Sequence, residues 1–132
     1  ASLILGEQIN ANVTSLGTAA EKIAALGCPG RVVLHSTQGA VCRDHDGTLA
    51  YRSALNLPRS FIQGSTGAGD AFTAGFLSGA HDDCTTAECL LRGVCVAAAS
   101  LSSPTALLGV VPLAECLNLA QQFGFQKHEK DE

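Results

Sequence analysis

Gly64-Ser65-Thr66-Gly67-Ala68-Gly69-Asp70 is the stretch on which the fold of this chain depends. From Ala68 to Ala80 the residues follow a helical pattern, so the sequence predicts a glycine-rich turn that opens a helix. The first turn of a helix has backbone N–H groups without partners inside the helix, and the helix dipole adds positive potential there. Glycines allow those N–H groups to approach a ligand closely. The stretch therefore predicts a binding site for a phosphate group.

Asp70 brings a carboxylate into the first turn of this helix. Beside a phosphate site, a carboxylate can accept the proton of a hydroxyl that attacks a γ-phosphate. The pattern alone leaves an alternative open, because Asp at this position also interacts favourably with the helix dipole. The loop has neither the Gly-Lys-Ser/Thr of a P-loop nor the G-x-G-x-x-G of a dinucleotide site, which excludes those two classes.

The flanking sequence predicts a layered α/β fold, with a parallel-type sheet flanked by helices, as a single domain over residues 1–132. The run Arg31–His35 is apolar on successive residues, which is typical of a parallel strand. An Asp-Gly pair predicts a hairpin between Gly39–Arg43 and Thr48–Ala54. Further helices are predicted after a cap near Asn12, after a capping box at Thr85–Glu88 and from Pro112 to Phe123, followed by a mobile charged tail over residues 127–132.

Composition excludes several classes of protein. Of 132 residues, 46% are hydrophobic and 15% charged, which excludes bulk disorder. With a net charge of −4 and only eight Lys and Arg, we expect no nucleic-acid partner. No apolar run reaches the roughly 20 residues of a membrane span, so we expect no membrane partner. The six cysteines include no C-x-x-C pair, and we expect free thiols in a cytoplasmic protein.

The start of the sequence is unusual. The chain begins at Ala1, contains no methionine and enters an apolar stretch at once. We therefore expect a piece of a longer protein. An apolar surface that once faced the absent part would be exposed and would favour association into a homodimer.

The run Ser65–Leu77, with the sequence STGAGDAFTAGFL, closely resembles the C-terminal signature of the ribokinase-like (PfkB) family. That family phosphorylates hydroxyl groups of sugars, nucleosides and related small molecules with ATP. The order of flanking elements is also similar to the C-terminal half of the family: strand, hairpin, glycine loop, two packed helices and a last helix led by proline. The resemblance implies that the chain is the nucleotide-binding half of a ribokinase-like fold.

The resemblance also implies roles for individual residues. Asp70 would be the catalytic base, ATP the phosphoryl donor and a small-molecule alcohol, most simply a sugar, the acceptor. Mg²⁺ would be held through water by Glu7 and Asn10. Nucleotide contacts are expected from the loop, from a hydroxyl after the first strand and from the end of a later helix: Thr66, Gly67, Ala68, Gly69, Ser36, Ala98 and Ser102.

Three departures from the family pattern leave alternatives open. Glu7-Gln8-Ile9-Asn10 carries the usual Asn and Glu in reversed order, and Leu34-His35-Ser36 stands where the family has Thr-x-Gly. Gly64 replaces an Asp found in members that use a monovalent cation, so we expect weak potassium dependence. His35, at the end of a strand, could touch a phosphate, but we expect it to be a hydrogen-bonded histidine at the edge of the core. The alternatives are a non-catalytic nucleotide- or phosphate-binding module and an inactive truncated fragment.

Overall fold

In the described part of the chain, one helix and three consecutive strands come first, and three helices follow. The computed structural model describes residues 5–6, 8–105 and 111–127. In these residues the regular elements are α1 Val13–Ala25, β1 Val32–Ser36, β2 Gly39–Arg43, β3 Leu49–Ser53, a 3₁₀ turn Arg59–Phe61, α2 Ala68–His81, α3 Thr86–Ser100 and α4 Leu113–Phe123. The predicted tail lies outside the described residues, except for Lys127.

The predicted helix starts are confirmed. The Asn12 side chain accepts a hydrogen bond from the Ser15 N–H at 2.8 Å and so caps α1. Thr85 does the same for α3, where its hydroxyl accepts from the Glu88 N–H at 3.2 Å. Pro112 precedes the first turn of α4. Local capping chemistry therefore decides where these helices begin.

The described strands form an antiparallel sheet in the order β1-β2-β3. The predicted hairpin is confirmed, with the turn residue Gly47 in the left-handed region at φ 89°. The parallel pairing expected for the first strand is not what these residues form. Only Thr37 and Gln38 separate β1 from β2, and a parallel connection needs about a dozen residues or more.

Helices cover both faces of this sheet, so the layered α/β arrangement is confirmed. Alternate residues of β2 point to opposite faces. Val41 packs with Val13 and Leu16 of α1 in the smaller core cluster. Ala40 and Cys42 pack on the other face in the larger cluster, which α2, α3 and α4 complete. The sheet is therefore the middle layer of the fold.

A seam of glycines lets α2 and α3 approach closely. A Cβ atom added at Gly75 would lie 2.6 Å from the backbone oxygen of Arg92, and one at Gly93 would lie 2.6 Å from Cε2 of Phe72. Gly79 faces Cys89 at a similar spacing. Contacts this short leave no room for a side chain. The seam fixes α2 against the N-terminal half of α3.

We expect Gly75→Ala to lower the free energy of unfolding by about 1–3 kcal/mol, because the new methyl group would overlap a backbone atom that cannot move alone. At an exposed helical site the same substitution would stabilise the helix by about 1 kcal/mol. Equilibrium unfolding in urea measures the difference.

Gly30→Ala is the matched control for this measurement, because no atom lies within 4 Å of the added Cβ. We expect it to leave stability unchanged or slightly raised. If Gly75→Ala unfolded at the same urea concentration as this control, α2 and α3 would not be packed at the spacing described here.

The six cysteines are free thiols, as expected. Burial raises the pKa of the Cys42 and Cys95 thiols to about 11, so both stay protonated and unreactive near neutral pH. No helix in the described part of the chain is both long and apolar enough to span a membrane.

Candidate functional site

The glycine loop turns sharply into α2. Gly67 precedes the helix in the left-handed conformation, at φ 83° and ψ 2°, which glycine adopts without steric cost. Its carbonyl accepts the Ala71 N–H at 2.9 Å. The Ala68 N–H is turned back toward the Ser65 carbonyl at 3.3 Å. The N–H groups of Gly69 and Asp70 have no acceptor among the described residues and are available to an anion.

A cleft of about 560 Å³ lies beside this helix end. The end of β1, the start of α2 and the last turns of α3 form its walls. Four of the residues predicted to contact nucleotide line it together, namely Ser36, Ala68, Gly69 and Ala98. These residues are up to 62 positions apart in sequence, and they meet at one site because the sheet and the α2–α3 pair bring them together.

Other predicted residues do not line this cleft. Thr66 and Gly67 belong to the adjoining loop, and Asp70 is exposed in the first turn of α2. Ser102 is also exposed, and its hydroxyl donates to the Ala99 carbonyl at 2.8 Å.

The residues predicted to hold Mg²⁺ are not found at the cleft. Glu7 lies outside the described residues. Asn10 is exposed and lines a separate hollow of about 200 Å³ at the start of α1. Across residues 5–6, 8–105 and 111–127, no group of three or more His, Cys, Asp or Glu side chains could hold a metal ion.

Ser36 has a structural function at the edge of the cleft. Its hydroxyl donates to the Ala11 carbonyl and accepts the Gln38 N–H at 3.1 Å. These two bonds hold the tight turn between β1 and β2 and join it to the segment before α1. Because the hydroxyl already donates its one proton, a phosphate oxygen would compete with the Ala11 carbonyl for it.

His35, which the sequence prediction placed at the edge of the core rather than at the site, lines the cleft. Its ring stacks on Phe72, with centroids 4.7 Å apart and planes 27° from parallel. A Cβ added at Gly69 would lie 3.2 Å from Cε1 and 3.6 Å from Nε2 of the ring. The expected hydrogen bond of a core-edge histidine is absent among the described residues. Partial burial lowers the pKa of His35 from its ordinary value of 6.5.

Gln126 closes the cleft from the C-terminal side. Its side-chain amide donates to the carbonyls of Thr37 and Leu55, at 3.3 and 3.4 Å, and its backbone N–H donates to Ala54 at 2.8 Å. Sequence reasoning missed this residue. No local pattern marks a glutamine whose partners lie 71 and 89 positions away.

Comparison with known proteins decides the family. The model of the pfkB family carbohydrate kinase matches residues 1–112. The chain belongs to this pfkB family of carbohydrate kinases. The family resemblance that the run Ser65–Leu77 indicated is thereby confirmed, and the match extends over most of the chain. Among curated protein sequences, none matches the chain.

Solved structures of similar fold come from several ribokinase-like enzymes. Ribokinase from Arabidopsis thaliana, solved with ribose and ATP, superposes with a TM-score of 0.69 at 21% identity, over 82% of this pfkB chain and 34% of the ribokinase. Thermotoga maritima ribokinase gives 0.70 at 19% identity, over 91% and 37%. A nucleoside kinase from Methanocaldococcus jannaschii gives 0.67 at 17% identity, over 84% and 38%.

These superpositions establish the ribokinase-like fold. The chain spans about a third of the length of these solved relatives. It therefore corresponds to one part of the full ribokinase-like architecture.

Proposed function

We propose that these residues form the nucleotide-binding and catalytic part of a kinase that transfers the γ-phosphoryl group of Mg·ATP to a hydroxyl group of a sugar or a related small molecule. The observation that carries the proposal is the start of α2. There, two unpaired backbone N–H groups and the Asp70 carboxylate lie in one helical turn at the edge of a large cleft. Membership in the pfkB family of carbohydrate kinases supports the same reaction class.

The N–H groups of Gly69 and Asp70 would bind the transferring phosphoryl group. Negative charge spreads over the phosphoryl oxygens in the transition state, and fixed donors at a helix start stabilise it without reorganisation. The Ala68 N–H would join them only by leaving its 3.3 Å bond to the Ser65 carbonyl.

Asp70 would act as the base. Its carboxylate accepts the proton of the acceptor hydroxyl while that oxygen forms a bond to the γ-phosphorus. The bond from the γ-phosphorus to the bridging oxygen breaks, and ADP leaves with the electron pair. The exposed position of Asp70 in the first turn suits this role, because the acceptor can then approach the phosphate from outside the cleft.

Mg²⁺ would arrive bound to the phosphates of ATP. The described residues offer no cluster of three metal ligands, and Mg²⁺ in kinase sites is commonly held by one or two side chains together with substrate phosphates. The ion would neutralise charge on those phosphates. The chain's own contribution is to orient the nucleotide.

The apolar part of the cleft would take the nucleoside. Leu57, Ile62, Val94, Ala97 and Leu101 line it together with Ala98. Small and aliphatic side chains leave a flat, water-poor space that suits a planar base. The A. thaliana ribokinase of similar fold was solved with ATP, which supports this assignment.

A second candidate is a binding module that holds a nucleotide without catalysis. The observation in its favour is that two groups expected to contact phosphate, the Ser36 hydroxyl and the Ala68 N–H, already have partners within the chain. An inactive fragment would look the same. Turnover by the whole protein separates these candidates from a kinase.

Gly69→Val is expected to weaken Mg·ATP binding at least tenfold. A Cβ at this position would already lie 3.2 Å from the His35 ring, and the branched methyl groups would cover the N–H groups at the helix start. Isothermal titration calorimetry of Mg·ATP into the chain measures the effect.

Ala74→Val, at an exposed site on the same helix, is the matched control and should bind like the unmodified chain. Equal affinity in Gly69→Val and the unmodified chain would place the phosphates elsewhere. An unmodified chain that bound no nucleotide would count against the site as a whole.

A further inference from the structure

His35 lies against the first turns of α2. The ring lies against Phe72 of α2 with a centroid separation of 4.7 Å, and the strand β1 that carries it pairs with β2 at Ala40. Cε1 and Nε2 of the ring lie 3.2 and 3.6 Å from the point where a side chain at Gly69 would begin. The absence of a side chain at Gly69 leaves room for the ring beside the unpaired N–H groups.

In the described part of the chain, the cleft residues around His35 carry no charge. The cleft is lined from β1, β2, the segment after β3, α2, α3 and Gln126, and among these described lining residues only His35 is titratable. Asp70 follows Gly69 in the chain but does not line the cleft. Partial burial lowers the pKa of His35, and no charged group opposes that shift. The ring is therefore neutral near pH 7 when no ligand is bound.

We propose that His35 contacts the phosphate chain of the bound nucleotide and takes up a proton as the nucleotide binds. This inference rests on the proposed function, because it needs a phosphate at the start of α2. A phosphate oxygen that accepts the Gly69 N–H lies about 3 Å from that nitrogen. The ring lies 3.2 Å from the point where a side chain of the same residue would begin, so the oxygen and the ring are neighbours at one helix start. A negative charge beside the ring favours the protonated imidazole, whose two N–H groups both donate.

Proton uptake makes nucleotide affinity depend on pH. Binding raises the pKa of His35 from its lowered value, so affinity increases as the pH falls toward the pKa of the bound state. A rise of one pKa unit corresponds to a limiting tenfold gain in affinity. Because the nucleotide also titrates, the effect of His35 is the difference between the unmodified chain and a variant without the imidazole.

The test is a calorimetric titration of Mg·ATP, without acceptor, at about pH 8 and about pH 6, in two buffers of different ionisation enthalpy at each pH. The proteins are the unmodified chain, His35→Gln and His45→Gln. His45 is an exposed histidine of the β2–β3 turn and serves as the matched control. We expect the unmodified chain and His45→Gln to gain up to about tenfold more affinity on acidification than His35→Gln. Buffer-dependent proton uptake should be lost only in His35→Gln.

A second measurement needs no substitution. In the unmodified chain, the nuclear magnetic resonance signal of the His35 Cε1 proton should move toward its protonated position when Mg·ATP is added near pH 7. Equal pH dependence in His35→Gln and the unmodified chain, or an unmoved resonance with bound Mg·ATP, would overturn the inference while leaving the proposed function intact. An unmodified chain that binds no Mg·ATP at either pH would overturn both.

Discussion

Asp70→Asn should lower the turnover number for ATP-dependent phosphorylation by about 10²–10⁴-fold, with nucleotide affinity nearly unchanged. Asparagine keeps the size of the side chain and the backbone N–H groups of the helix start, but it cannot take the proton of the acceptor hydroxyl. The loss should therefore appear in kcat and leave the Kd for Mg·ATP as it was. ADP release by the whole protein, measured with a panel of ribose, hexose and nucleoside acceptors, gives kcat for each acceptor.

Asp83→Asn is the matched control for this substitution. Asp83 is an exposed carboxylate just beyond the other end of α2, in the left-handed region at φ 56°, which asparagine adopts readily. We expect this variant to turn over normally. If Asp70→Asn also turned over normally, a base other than Asp70 would serve the reaction. If neither protein produced ADP with any acceptor, the binding-module alternative would be favoured.

Phe72→Ala should lower the free energy of unfolding by about 3–5 kcal/mol. Phe72 is only 3% exposed, and its ring lies between His35 and Phe76 and against the glycine seam at Gly93. Its loss leaves a cavity that neighbours fixed by close helix packing cannot fill. Equilibrium unfolding in urea measures the change, and nucleotide binding should weaken as well, because the ring lines the cleft.

Leu77→Ala provides the control on the same helix, since Leu77 is 59% exposed. We expect it to lower stability by less than about 1 kcal/mol. A loss in Phe72→Ala as small as that in Leu77→Ala would mean that the ring is not buried in the larger core cluster. The assignment of that cluster as the support for the cleft would then be wrong.

The sequence predicted best the features that depend on near neighbours. Caps at Asn12 and Thr85, the turn at Gly47 and the glycine loop before α2 all depend on residues within a few positions of one another. The same loop carried the family resemblance. Helix boundaries were predicted closely for this reason.

The pairing of the first strand depended on information that its own residues do not hold. An apolar run is expected of a parallel strand, and Arg31–His35 has such a run. The turn after it has no Asn-Gly or Asp-Gly pair, and the Ser36 side chain stabilises it instead by accepting the Gln38 N–H. Only the short spacing between Arg31–His35 and the predicted strand at Gly39–Arg43 indicated an antiparallel pair, and the apolar pattern pointed the other way.

The candidate site was only partly predicted, and the reason is related. Gly69 and Ala98 were found through a family motif, whereas His35 and Gln126 take their positions from contacts between distant segments. Periodicity does not reveal that a ring at the end of β1 stacks on the first turns of α2. Departures from a family pattern, such as Leu34-His35-Ser36, were the only sequence features that pointed to this corner of the cleft.

The bonds from Gln126 also bear on the order in which the molecule assembles. The α2–α3 pair joins segments that are adjacent in the chain, whereas Gln126 reaches partners 71 and 89 positions away. Closing long loops is entropically unfavourable, and contacts between distant segments slow folding. The helical hairpin should therefore form early on the folding pathway, and the cleft should be completed late. A refolding chain would regain its helical structure before it regains the capacity to hold a ligand.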